Sequence, residues 1–184
     1  MWYNVIARKH QTKDGMLEDF LSDHLIETKI DFDCSDKEKQ LERIFSRFKR
    51  VAFQLSNRYK SRETLRIIDE YDVQDLLYAL LSLYFDDIRP EEPAPSYAGS
   101  SSRGDFFLPE IKVVIEVKKT RKTMTDKILG EELIIDIEKY LSHSECKKIY
   151  FFVYDPDHIL RNPTAIKWDL EEKHTGLIKV FIES

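Results

Sequence analysis

Six consecutive apolar residues, Ile149–Tyr154 (IYFFVY), set the strongest constraint on what this chain can fold into. An apolar run of that length reads as a strand covered on both faces, and such a strand needs helices on either side of its sheet. The rest of the sequence supplies candidates. Met16–Ile30 reads as a short helix, and Ser35 with Glu38 reads as a capping box opening another. Leu41, Ile44, Phe45, Phe48, Val51, Ala52 and Leu55 then recur at helical spacing. A further helix is expected after Asp69, burying Val73, Leu76, Leu77, Leu80, Leu81 and Tyr84. Another is expected over 126–141, with Ile128, Leu129, Leu133, Ile134, Ile137 and Tyr140 inward. Asn162 and Pro163 read as an N-cap followed by proline at the first helical position. Strands are expected at 105–108, 112–118 and 177–183, and the Pro-, Gly- and Ser-rich stretch 90–104 is loop chemistry. The fold class is therefore α/β, a small mixed sheet flanked by helices with a helical N-terminal extension. The expected division is a helical region over 1–68 packed on a core domain over 69–184.

The chemistry concentrates in DFFLPEIKVVIEVKK, residues 105–119. A turn centred between Glu110 and Ile111 places Asp105 opposite Glu116 on the neighbouring strand. Directly opposed residues of an antiparallel pair share a face, with Cβ atoms roughly 5 Å apart. Lys118 lies on that face too, because strand side chains alternate. Glu116 is embedded in Val113, Val114, Ile115 and Val117, where a carboxylate is costly unless it is paired or binds a metal. Two carboxylates and water positions form a ligand set that Mg²⁺ accepts, and such an ion activates water and stabilises phosphoryl charge. Lys118 would stand beside that water. The same residues also suit an ordinary ion pair on an edge strand, with Asp105 merely a turn residue.

Net charge bears on the substrate. The chain has 184 residues and a formal charge of −5, which taken whole disfavours nucleic acid. Yet Arg43, Arg47, Lys49, Arg50, Arg58, Lys60 and Arg62 occur without an intervening acid, and Lys118–Lys127 holds five cations against Asp126. These stretches carry +11, leaving −16 on the rest, with 61–92 as an acidic counterpart. Segregated charge makes local fields that the sum conceals. The Arg43, Arg47, Arg50 and Arg58 flank either tracks a nucleic-acid backbone or pairs with 61–92. Lys119, Arg121 and Lys122 either meet phosphates or form a solvated loop, and Ser100–Arg103 precede Asp105 in a loop that could contact phosphate or substrate bases. Two cysteines exclude a disulfide framework, five scattered histidines argue against a zinc site, and no apolar run is long enough for a membrane span. A long apolar leader segment is missing from the start of the sequence, so a cytoplasmic protein is expected.

Asp105 and Glu116-Val117-Lys118, with a helix over 71–85 before them and a helix and strand after them, resemble the PD-(D/E)XK nuclease superfamily, the restriction-endonuclease-like fold. The likeness covers about residues 69–155. It implies a first strand within 86–93 and the backbone carbonyl of Val117 as a third metal ligand. It also implies support from the first core helix, for which Asp72 and Gln74 are the candidates; a solvated first turn is their other reading. The segments DEYDVQDLL, PSYAGSSSRGDF, IEVKKTR and FVYDP resemble small prokaryotic domains of restriction and antiphage defence systems. Gly104 stands where the superfamily often has proline.

The resulting expectation is a Mg²⁺-dependent endonuclease, with Mn²⁺ a possible substitute, acting on DNA rather than RNA in a defence setting. Asp105, Glu116 and Val117 would hold the metal, and Lys118 would position and activate water. Arg103, Lys119, Arg121, Lys122, Arg43, Arg47 and Arg50 would hold nucleic acid, with a homodimer or a partner defence protein completing the system. A catalytically inactive binding module of the same fold, or an RNA-directed nuclease, are the alternatives.

Overall fold

A computed structural model describes residues 16–93, 103–141 and 145–184, with side chains from residue 36 onward except those of 61, 91–93 and 103. The chain divides into a unit of residues 1–38, helical from Met16 in its described part, and a unit of residues 39–184. Within the second unit the strands are β1 (Arg89–Pro93), β2 (Arg103–Leu108), β3 (Val113–Lys119), β4 (Lys148–Tyr154) and β5 (Ile178–Glu183). The helices are α1 (Met16–Ser56), whose C-terminal part belongs to this unit, α2 (Glu70–Leu81), α3 (Asp126–Tyr140) and α4 (Pro163–Lys173). The strands form one mixed sheet in chain order. β1, β2 and β3 are joined antiparallel, and β3, β4 and β5 are parallel through the crossovers that carry α3 and α4.

Alternation sorts the side chains onto two covered faces. Val113, Ile115, Val117, Tyr150 and Phe152 face a core shared with Leu41, Phe45 and Phe48 of α1 and Val73, Leu77 and Leu81 of α2. Val114, Ile149, Phe151 and Val153 face the core of α3 and α4, with Leu129, Leu133, Ile137 and Leu170. The apolar run of β4 is therefore buried on both sides, as its sequence demands. Phe45 stacks on Phe152 with ring centroids 4.9 Å apart, and Phe48 meets Tyr154 edge-on at 5.3 Å. Lys49 donates to the Ser184 carbonyl, which also places this part of α1 beside the C-terminal end of β5.

Asn162 caps α4, accepting from the Ala165 N–H at 3.2 Å, with Pro163 at the first position as predicted. Ser35 and Glu38 do not open a helix: α1 runs through them. The chain has no glycine or proline between Met16 and Ser56, so nothing there ends the preceding helix and the cap signal has no terminus to act on. Three residues expected inward are outward. Tyr84 lies past the end of α2, where Phe85 is buried instead; Leu55 falls in the fraying last turn of α1; and Ile134 sits on the flank of α3. The stripe that α3 buries is Leu129, Leu133, Asp136, Ile137 and Tyr140, so an acid occupies an apolar position.

Candidate active site

The hairpin turn at Pro109–Lys112 delivers the register its sequence predicts: Phe106 opposite Ile115, Phe107 opposite Val114 and Leu108 opposite Val113. The pairing stops at the point where Asp105 would meet Glu116. Beyond it β2 continues with β1 through Gly104 and Arg103, while β3 continues with β4 through Lys119. The sheet thus forks between β2 and β3. At the fork the Val117 N–H, which would otherwise lack a ladder partner, donates to Asp105 Oδ2 at 2.7 Å. Gln74 Nε2 of α2 donates to Asp105 Oδ1 at 2.8 Å.

Glu116 is 6% exposed. Its Oε1 accepts from Lys118 Nζ at 2.6 Å and its Oε2 from the Tyr140 hydroxyl at 2.7 Å. Lys118 Nζ also meets Asp136 Oδ2 at 3.0 Å, and Lys139 meets Asp136 Oδ1 at 2.7 Å. Glu70, in the first turn of α2, accepts from the Lys119 N–H at 3.2 Å.

Burial, followed by the charge of Glu116, pushes the Asp105 carboxyl up to about 8. Burial also raises Glu116, although Lys118 pulls it down, and burial raises Glu70 against the same lysine. For Lys118 burial works the other way, lowering it, but Glu116 and Asp136 outweigh burial and hold the ammonium above the ordinary lysine range. Here buried carboxylates raise one another's affinity for protons, and a lysine ammonium only partly offsets the repulsion. A divalent cation is the missing charge that such a set accommodates. Among the described residues no three Asp, Glu, His or Cys side chains converge as a metal cage. The groups at the fork that could hold a hard cation are two carboxylates and a main-chain carbonyl, oxygen donors of the kind such an ion takes.

Of the predicted supporting residues, Gln74 reaches the site and Asp72 does not. Asp72 accepts from the Ile68 and Asp69 N–H groups while Asp69 accepts from the Asp72 N–H, a capping box that starts α2. The acid that α2 brings to the site is Glu70, one turn end away on the other side of the helix start. Sequence reasoning also missed Asp136 and the hydroxyl of Tyr140. The readable signal was the polar residue standing in the buried stripe of α3.

The basic residues fall into two groups. Lys122 is exposed, Arg121 is held by Glu132 at 2.7 Å, and Lys119 turns its Nζ to the Thr120 carbonyl at 3.4 Å. Arg43, Arg47 and Arg50 are exposed on α1, and among the described residues no ion pair joins them to the acids of 61–92. Arg58 donates to the Glu63 carbonyl at 2.7 Å. The Arg103 side chain and residues Ser100–Ser102 lie outside the described residues.

Gly104 has a steric reason. A Cβ there would lie 2.9 Å from Val114 Cγ1, so the strand beside Asp105 passes too close to the Val114 side chain of β3 for a substituent, while the Tyr140 ring at 3.6 Å would be at ordinary contact distance.

Comparison with known proteins places this geometry. No curated protein and no solved structure matches the chain. A family model described as REase_DpnII-MboI matches residues 39–184, the whole of the second unit and most of the chain. The sheet, the fork and the Glu-Val-Lys strand therefore belong to a chain of the DpnII-MboI restriction endonuclease family, in the restriction-endonuclease-like, PD-(D/E)XK, class: a nuclease that hydrolyses phosphodiester bonds.

Proposed function

We propose that this DNA endonuclease is Mg²⁺-dependent, that its catalytic residues are Asp105, Glu116 and Lys118, and that it serves a prokaryotic restriction or antiphage defence system from the cytoplasm. The observation that carries the reading is the fork itself. It brings a carboxylate from each of two separating strands and a lysine together in a chain of a restriction endonuclease family. Asp105, Glu116 and the Val117 carbonyl would hold the ion; Mn²⁺ would substitute because it accepts the same oxygen donors. When bound, the ion lowers the pKa of a coordinated water and offsets charge on the scissile phosphate.

The protein's own groups do the rest. Lys118, kept as an ammonium by Glu116 and Asp136, donates a hydrogen bond to the attacking water and places positive charge beside the phosphate. The buried strand neighbours of Glu116 keep bulk water from its carboxylate, which strengthens every electrostatic interaction at the fork. Lys119, Arg121, Lys122 and Arg103 flank the catalytic strands and would meet phosphates to either side of the cut. Arg43, Arg47 and Arg50 would extend that track along α1. A duplex has two strands of opposite polarity and each chain has one such site, so double-strand cleavage would use a homodimer. No helix among the described residues is long and apolar enough to cross a membrane.

The test incubates the protein with unmodified plasmid and with RNA, in Mg²⁺ or EDTA, alongside Asp105→Ala and Lys118→Ala. Cleavage of DNA that needs Mg²⁺ and disappears in both variants is expected. Cleavage that survives both substitutions would sink the site assignment, preferential RNA cleavage would overturn the substrate, and DNA binding without any cleavage would mark an inactive module.

A further inference from the structure

We infer that α3 positions both members of the Glu-Val-Lys strand: Asp136 holds Lys118 and Tyr140 holds Glu116. The inference rests on the reading of Glu116 and Lys118 as the catalytic pair.

Asp136 is 5% exposed, in a helical stripe whose other members are Leu129, Leu133, Ile137 and Tyr140. Packing alone would favour an apolar residue there, since a buried ion pair replaced by well-packed hydrophobic side chains is often no less stable. The two oxygens of Asp136 are divided between two cations. Oδ1 is fixed by Lys139 on the same helix, three residues on, which leaves Oδ2 directed at Lys118 across the gap to the sheet. Tyr140, one turn beyond Asp136 on the same face, sets its hydroxyl on the Glu116 oxygen that Lys118 does not use.

The arrangement answers a difficulty in the site. Lys118 has a long flexible stem and shares its ammonium between Glu116 and Asp136. Glu116 is the group that would be given over to a divalent ion, and a lysine held by Glu116 alone would then compete with that ion or swing away. Asp136 comes from a different element and remains the partner that Lys118 keeps. Tyr140 fixes the plane of the Glu116 carboxylate independently of the lysine. Both are positioning residues: they act through Glu116 and Lys118 and need touch neither substrate nor metal.

The experiment is a double-mutant cycle read in two ways. Single-turnover cleavage of plasmid DNA is measured for the parent, Asp136→Asn, Lys118→Ala and the double variant. Mn²⁺ affinity of the same DNA-free proteins is measured by electron paramagnetic resonance. Asp136→Asn is expected to slow cleavage about 10- to 100-fold, the range seen when the support of a catalytic group is removed, and Asp136→Glu to recover part of the rate. In the Lys118→Ala background Asp136→Asn is expected to add no further loss. Asp136→Asn should also weaken Mn²⁺ binding while Lys118 is present, because the lysine then falls wholly on Glu116, and should leave it unchanged when Lys118 is absent. Tyr140→Phe should weaken Mn²⁺ binding with the rate at saturating metal kept within about twofold, since Glu116 retains its charge but not its orientation. Equal losses from Asp136→Asn in both lysine backgrounds, in rate or in Mn²⁺ affinity, would overturn the inference in favour of a merely structural or general electrostatic role. If Asp136→Asn does not fold, Asp136→Glu carries the same cycle with the same criterion. A Lys118→Ala protein that cleaves at the parental rate would instead remove the catalytic reading beneath it, an outcome separate from those above.

Discussion

Removing the charge of Asp105 should blunt the protein's response to divalent metal and so invert the order of stability of variant and parent when metal is added. In the metal-free protein the Asp105 carboxyl is pushed up from 3.8 to about 8 by burial and by Glu116. The native state therefore keeps a proton that the unfolded chain has already released, and stability falls as pH rises from about 4 to 8. Glu116 and Glu70 are raised as well and act in the same direction. One proton changes stability by at most about 1.4 kcal/mol per pH unit, and relaxation and water entry leave a net effect of roughly 2 kcal/mol across the window. For a unit of this size that corresponds to a melting temperature about 4–8 °C lower at pH 8 than at pH 5 in EDTA. The proposed Mg²⁺ would bind only the ionised site, and at a hundred times its dissociation constant it would add about 2.7 kcal/mol, which more than recovers the loss at pH 8.

Asp105→Asn removes both halves of that balance. The neutral amide can still accept from the Val117 N–H through its oxygen, and Gln74 can turn its own carbonyl toward the new amide N–H, so the two hydrogen bonds survive in altered form. At pH 8 in EDTA the variant should melt above the parent, since no carboxylate is buried beside Glu116. With Mg²⁺ it should melt below the parent, because one metal donor has lost its charge. Differential scanning calorimetry at pH 5 and pH 8, with EDTA or Mg²⁺, reads all four conditions. A metal-induced shift as large in Asp105→Asn as in the parent would refute the argument, as would a parental melting temperature indifferent to pH in EDTA.

Four other substitutions probe different parts of the fold. Gly104→Ala places a methyl 2.9 Å from Val114 Cγ1 and should destabilise by about 1–3 kcal/mol in urea unfolding. Asp155, 1% exposed, accepts from Thr120 Oγ1 at 2.7 Å and from the Ile159 and Leu160 N–H groups at 2.8 and 3.2 Å. Asp155→Ala leaves those buried donors unmatched and should cost about 3 kcal/mol by chemical denaturation, with specific activity of the folded fraction retained. Arg47→Gln and Arg50→Gln should weaken DNA binding uniformly across sequences and each reduce the slope of log K against log salt by about 1 in fluorescence anisotropy, and an unchanged slope would remove that face from the interface.

What the sequence disclosed and what it hid divide along a physical line. The register of β2 on β3 was legible, though not the fork that ends the ladder just before Asp105, because it depends on local rules: Pro109–Glu110 positions a turn, strands alternate, and the hydrophobic pattern admits one register. From these, Asp105 falls opposite Glu116 without any knowledge of the rest of the molecule. The buried run of β4 and the Asn162–Pro163 cap follow rules of equally short range. The continuity of α1 was misread because a capping box is evidence for a helix start only where the preceding residues cannot be helical. Asp72 was named and Glu70 was not, because positions two apart at a helix start differ in azimuth, and which azimuth faces β3 is set by helix-to-sheet docking.

The charges of the site follow the same division, and this explains why a net charge of −5 is a poor guide to an enzyme that acts on DNA. Seen along the chain, the acids of α2, β2, β3 and α3 are scattered surplus. In the fold, Glu70, Asp105, Glu116 and Asp136 surround Lys118 and are in large part buried, so their charges act on one another, on protons and on a cation far more strongly than on a distant phosphate. The cations of α1 and of the segment after β3 remain exposed and face solvent, where counterions are exchanged for phosphates. In the proposed function the acidic excess would thus raise affinity for metal at the fork while the basic stretches would retain affinity for the backbone. Their sum has little bearing on either.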